Sequence, residues 1–138
     1  TTMHHFYGYE GRCADPSNFD ANYCYGLGYN ASLLINAGVT GYMTLLRDLT
    51  KPAEEWMPGG IPITMMMNIE RRNGQDKPVI RKALVDLQAT PFRKYAENRG
   101  KWAIETSYLY PGPIQYFGPS ELCDQPTMTL KFEAEDRK

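Results

Sequence analysis

Long apolar runs are missing from this sequence: nothing approaches the ~20 consecutive apolar residues of a membrane helix, and the first residues lack the basic-then-apolar pattern of a secretory leader. The expectation is a soluble, cytoplasmic protein with no membrane partner. Excess charge is missing too. Lys and Arg total 15 against 16 Asp and Glu, for a net charge of −1, which argues against general nucleic-acid binding and leaves room only for a local basic site. The three cysteines, Cys13, Cys24 and Cys123, are odd in number and form no Cys-x-x-Cys pair. A disulfide framework or zinc site is therefore not expected, and reduced, mostly buried thiols are. No Ser-His-Asp or Cys-His set, no phosphate loop of the P-loop type and no metal-spaced pair of carboxylates is found. An initiator methionine is absent as well, since the chain opens on Thr1-Thr2; the chain is expected to be part of something longer.

What is present suits one ordinary domain of 138 residues, 42% hydrophobic and 22% charged. Residues 3–8 are rich in aromatics and read as a short strand ending at Gly8. His4 and His5, adjacent on that strand, would point to opposite faces and so would not share a metal ion. A helix start follows, with Asp15 or Ser17 as N-cap, Pro16 in the first position and Asp20 in the first turn. Phe19, Tyr23, Leu27, Ala31 and Leu34 recur at helical spacing up to about Ala37, where Gly38 supplies the stop. Gly26 and Gly28 inside this helix suggest close packing against a neighbour, and their position excludes a dinucleotide fingerprint. Asn30-Ala31-Ser32 is formally a glycosylation sequon, discounted because it falls within the helix.

Residues 41–49 read as a buried strand, so that strand, helix and strand over 1–49 make a βαβ unit with a parallel pair. A short helix from Ala53 should lead into a loop at Pro58-Gly59-Gly60. Residues 61–71 and 77–87 read as two antiparallel strands joined by a turn at Asn73-Gly74, with helix as the competing assignment. Arg71, Arg72 and Lys77 make a local basic cluster, most simply solvated. A second helix is predicted over 91–106 with Thr90 as N-cap. A Pro- and Gly-rich loop over 110–119 and a last strand over 127–132 complete the order.

The stretch that offers chemistry is Gly8-Tyr9-Glu10-Gly11-Arg12. An arginine fork suits phosphate, a phenol adds one donor, the glycines permit close backbone approach, and the next helix directs its positive end toward the region. The plainer alternative is a buried structural arginine paired with Glu10 or Asp20.

These residues, together with Asp15-Pro16-Ser17-Asn18-Phe19-Asp20, resemble the phosphofructokinase family, most of all its long, pyrophosphate-dependent branch. Pro52 to Trp56, Gly59-Gly60-Ile61-Pro62-Ile63-Thr64, Ile69-Glu70-Arg71-Arg72, Lys77-Pro78-Val79-Ile80 and residues 111–119 resemble the same branch. The resemblance implies an α/β fold: a βαβ unit (1–49) with the sugar-phosphate loop, then a hairpin, helix and C-terminal loop extension (50–138). The whole would be a C-terminal fragment of a larger three-layer enzyme. It implies that Tyr9, Glu10, Gly11 and Arg12 bind the 6-phosphate of fructose 6-phosphate, with Tyr9 donating its hydroxyl and Arg12 as the charge clamp. Tyr9 stands where ATP-dependent relatives carry histidine. The family's donor loop, catalytic aspartate and magnesium ligands are absent from this sequence. The implied parent is a glycolytic transferase using pyrophosphate and magnesium, a homo-oligomer whose catalytic residues lie outside this chain, so that the fragment alone would be inactive. The alternative is a non-catalytic regulatory subunit of the same fold that binds a sugar phosphate.

Overall fold

The structure is a computed structural model and describes residues 1–105, 114–123 and 125–137. The predicted end of the second helix at Thr106 and the Tyr110–Pro113 part of the predicted loop lie outside these residues.

Helix α1 (Asn18–Asn36) organises the first half. The Ser17 side chain accepts from the Asp20 N–H, while the Asp20 carboxylate accepts from the Ser17 N–H at 2.8 Å, a reciprocal capping box. Its other end closes as the sequence indicates: Gly38 at φ +70° donates to the Ile35 carbonyl, and Val39 to that of Leu34.

Strand β1 (Tyr42–Arg47) pairs antiparallel with β2 (Met57–Pro62), in a register that places Leu45 opposite Gly59. Two expectations change here. The segment Pro58-Gly59-Gly60 is strand rather than loop. In a two-stranded sheet every strand is an edge, so Pro58 costs no interior ladder bond. The bare glycines leave room for side chains: a Cβ on Gly59 would lie 3.2 Å from Leu45 Cδ1, and one on Gly60 3.2 Å from Leu34 Cδ2. The predicted βαβ unit is the second change. Residues 3–7 form no strand, and β1 has β2 as its antiparallel partner. Extended chain without a hydrogen-bonding neighbour has nothing to hold it as a strand, and Phe6 is 91% exposed.

Strands β3 (Met67–Arg72) and β4 (Gln75–Ile80) form the expected hairpin. Asn73 at φ +52° and Gly74 at φ +76° supply the two left-handed positions of a tight hairpin turn. Both strands are shorter than predicted: residues 63–66 form a 3-10 turn, and 81–86 are irregular.

Helix α2 (Thr90–Trp102) starts one residue earlier than predicted. Ala89 occupies the cap position without a side-chain bond. The missing cap comes from a distant residue, Asp136, whose carboxylate accepts from the Thr90 N–H at 2.8 Å and from the Thr90 hydroxyl at 2.6 Å. Asp136 ends α4 (Met128–Asp136), which replaces the strand predicted over 127–132. The Thr127 hydroxyl caps that helix by accepting from Leu130 N–H, and Leu130, Lys131, Glu133, Ala134 and Glu135 are strong helix formers. Between α2 and α4 in sequence lies the short α3 (Ser120–Cys123). The mixed α/β class holds, with antiparallel rather than parallel pairing.

An aromatic cluster forms around the start of α1. Phe19 is buried, stacked on Tyr23 at 5.8 Å between ring centroids, and Trp56 packs edge-on against it at 5.6 Å. Cys123, 2% exposed, is the one cysteine buried as expected, whereas Cys13 and Cys24 are exposed. Among the described residues, no helix is long and apolar enough to cross a membrane.

Candidate anion site and its setting

The predicted site residues lie on one 3-10 turn, Gly8–Gly11, immediately followed by Arg12. Gly8 adopts φ +57°, where a side chain would be strained. A Cβ on Gly11 would sit 3.2 Å from Tyr7 Cβ, so a small residue there lets the turn close. The Arg12 and Cys13 N–H groups both donate to the Tyr9 carbonyl, at 2.8 and 3.0 Å. This folds Arg12 back onto Tyr9 and sets its guanidinium carbon 5.5 Å from the ring centroid, within cation–π range. Glu10 lies on the turn between them.

Tyr9 is 77% exposed, and Arg12 is exposed as well. A buried structural arginine is therefore not what the chain builds here. Asp20, one of the acids considered as its partner, is engaged by both the N–H and the hydroxyl of Ser17, each at 2.8 Å. The same engagement corrects the view of the helix end. The capping box fills the N-terminus of α1 with its own carboxylate, so the turn must offer an anion mainly Arg12 and the Tyr9 hydroxyl. His4 and His5 are both exposed, and His5 stacks on Tyr7 with 6.2 Å between centroids.

One set of residues escaped the sequence reading. Asn18, Asn22, Gly26 and Asn30 recur every four residues and follow one side of α1. Asn18 and Asn22 grip the backbone of 114–123: the Gln115 N–H donates to Asn18 Oδ1 at 2.5 Å, and Asn18 Nδ2 donates to the Leu122 carbonyl at 3.0 Å. Asn22 Nδ2 donates to the Cys123 carbonyl at 3.1 Å. Gly26 faces Leu46, whose Cδ1 would stand 2.7 Å from an added Cβ, which is the close packing expected of it; Gly28 has open space. Asn30, 7% exposed, donates to Thr44 Oγ1 at 2.6 Å and to the Gly59 carbonyl at 2.7 Å. The sequon asparagine is thus committed to the sheet. The signal was in the sequence as polar residues at helical spacing beside an apolar face.

No family model matches the chain. It is 61% identical over 137 residues to the pyrophosphate–fructose 6-phosphate 1-phosphotransferase of Porphyromonas gingivalis, which covers 99% of this chain and 25% of that protein. Its identity to the enzyme of the same name from Entamoeba histolytica is 57% over 133 residues, covering 96% of this chain and 24% of that one. It is 49% identical over 131 residues to the beta 1 subunit of the same enzyme in Arabidopsis thaliana, covering 95% of this chain and 23% of that subunit. All three relatives carry the name of one class of enzyme, the phosphotransferases that use pyrophosphate and fructose 6-phosphate. Within them, the chain is similar to one segment of the pyrophosphate–fructose 6-phosphate 1-phosphotransferases, and it spans about a quarter of the length of the relatives it matches.

Proposed function

We propose that this chain is the fructose 6-phosphate-binding part of an enzyme that transfers a phosphoryl group reversibly between pyrophosphate and fructose 6-phosphate, a step of glycolysis in the cytoplasm. Tyr9 and Arg12 hold the sugar 6-phosphate, with Glu10 and Gly11 shaping the turn between them. The observation that carries this reading is the exposed Tyr9–Arg12 pair: a guanidinium already laid over a phenol ring, on a turn closed by glycines. Cation–π stacking fixes the plane of the fork before a ligand arrives, so less side-chain freedom is lost on binding. The guanidinium then meets phosphate oxygens with charge-assisted bonds, and the phenol donates a further one.

Among the described residues, no group of three His, Cys, Asp or Glu side chains is placed to hold a metal ion. In this reading the magnesium of the reaction, the pyrophosphate site and the base that activates the sugar hydroxyl belong to residues outside this chain. This part of the enzyme binds and orients. The plant relative's naming as a subunit supports an oligomeric parent.

In the whole enzyme, Arg12→Ala should raise KM for fructose 6-phosphate by roughly 30- to 150-fold, from about 2–3 kcal/mol of charge-assisted contact. Tyr9→Phe should raise it about tenfold, the loss of one hydrogen bond to a charged phosphate oxygen at the low end of its range, about 1.5 kcal/mol. Steady-state kinetics with the sugar phosphate varied is the test. An unchanged KM in a folded Arg12→Ala enzyme would remove the assignment.

A further inference from the structure

The segment 114–123 is a built element. Gln115 Nε2 donates to the Phe117 carbonyl at 2.9 Å, and Leu122 N–H donates to the Pro119 carbonyl at 2.9 Å. Gly118 adopts φ +144°, and a Cβ there would collide with the Gln115 carboxamide and lie 3.2 Å from Cys123 Sγ. This folded segment is held by the two asparagines at the start of α1, about a hundred residues earlier in the chain. Asn18 is the centre of the grip, because one carboxamide uses both ends: its oxygen takes Gln115 N–H and its nitrogen gives to Leu122. Asn22 takes the next carbonyl, Cys123, and the Tyr25 and Tyr116 rings meet one turn further along at 6.2 Å.

Asn18 is also the first residue of α1, and the tether back to the anion turn is short. Only Cys13, Ala14, Asp15, Pro16 and Ser17 separate it from Arg12. Pro16 fixes one φ of that tether, and Ser17 is locked by the capping box. A shift of the helix start is therefore passed to Arg12 with little slack, and displacements of about 1 Å are enough to matter at a site that orients a substrate.

We propose that the 114–123 segment, acting through Asn18 and supported by Asn22, is a positioning clasp for the sugar-phosphate turn. Asn18 touches no substrate. It sets where α1 begins, and so where Arg12 presents its fork. This rests on the reading of Tyr9 and Arg12 as the sugar 6-phosphate site.

The test uses the whole enzyme. Asn18→Ala should raise KM for fructose 6-phosphate by about five- to tenfold, the lower end of the usual coupling between sites, with kcat and KM for pyrophosphate unchanged. A merely structural asparagine would instead lower the folded fraction, reducing apparent kcat and leaving both KM values alone. Coupling is reciprocal, so saturating fructose 6-phosphate should slow hydrogen exchange in the 114–123 segment of the native enzyme, and less so in Asn18→Ala. If Asn18→Ala does not fold, Asn22→Ala, which releases the Cys123 carbonyl and loosens the same segment from the start of α1, takes its place with a smaller split in the same direction. A folded variant with native sugar-phosphate KM, or ligand binding without protection of 114–123, overturns the clasp. Arg12→Ala separates the two levels: a raised KM there beside a native KM in Asn18→Ala refutes the clasp alone, whereas no effect in Arg12→Ala refutes the site reading and the clasp with it.

Discussion

Replacing Asn30 by alanine should loosen α1 from the β1–β2 hairpin. Asn30 is buried among groups that need a donor: Thr44 Oγ1 at 2.6 Å, the Gly59 carbonyl at 2.7 Å and, more weakly, the Leu45 carbonyl at 3.3 Å. Two good neutral hydrogen bonds contribute about 1 kcal/mol each, and leaving a largely buried carbonyl unpaired adds about 1–2 kcal/mol. The sum is about 3–4 kcal/mol, or roughly 150- to 1000-fold in a local opening equilibrium. Asn30→Asp is the sharper perturbation. It keeps the size but places an acceptor-only carboxylate against two carbonyls, so it should match or exceed the alanine variant at neutral pH. Hydrogen exchange of the backbone amides in residues 42–47 and 57–62 reads the effect directly. Native-like protection of those amides in Asn30→Asp would show that the carboxamide does not hold helix and hairpin together.

Two further outcomes follow from other contacts. The Asp136 carboxyl is held below its ordinary pKa of 3.8, chiefly by the hydrogen bond from the Thr90 hydroxyl and then by that from the Thr90 N–H, partly opposed by desolvation and helped least by the Arg93 charge. A carboxylate with a lowered folded-state pKa stabilises the fold above its ordinary value, so the α2–α4 junction should keep its strength above about pH 4 and lose it as pH falls through the folded-state value. Asp136→Asn should flatten that acid limb in a pH series of hydrogen exchange at Thr90, and an unaltered limb would contradict the geometry. Gly26→Val should cost about 1–3 kcal/mol by forcing Leu46 away from the helix, whereas Gly28→Val, with open space at its Cβ, should lack that clash penalty. Comparing the two in thermal melts tests whether α1 packs on β1 through Gly26.

The sequence by itself determined the features that depend on residues within about four positions of one another. The helix cap at Ser17 with Asp20 in the first turn, the stop at Gly38, the Asn73-Gly74 turn and the closing of Gly8 to Arg12 are all local and formed where the residue pattern allowed, although Asp15 is not the cap and Pro16 precedes the helix instead of taking its first position. The likeness to the pyrophosphate-dependent phosphotransferases could be read from the same stretch and its companions. Tertiary structure decided what depends on a distant partner. Whether residues 57–62 are loop or strand rests on β1 being there to pair with them, and whether 127–132 is strand or helix on finding α2 rather than a sheet edge. Thr90 looked like its own helix cap, yet the cap is supplied by Asp136, 46 residues away. The asparagine stripe of α1 shows the division within a single helix. Its four-residue spacing is written in the chain, but a carboxamide has no preference for a partner until packing brings carbonyls to it, so only the folded molecule could show that Asn18 and Asn22 grip one segment and Asn30 another.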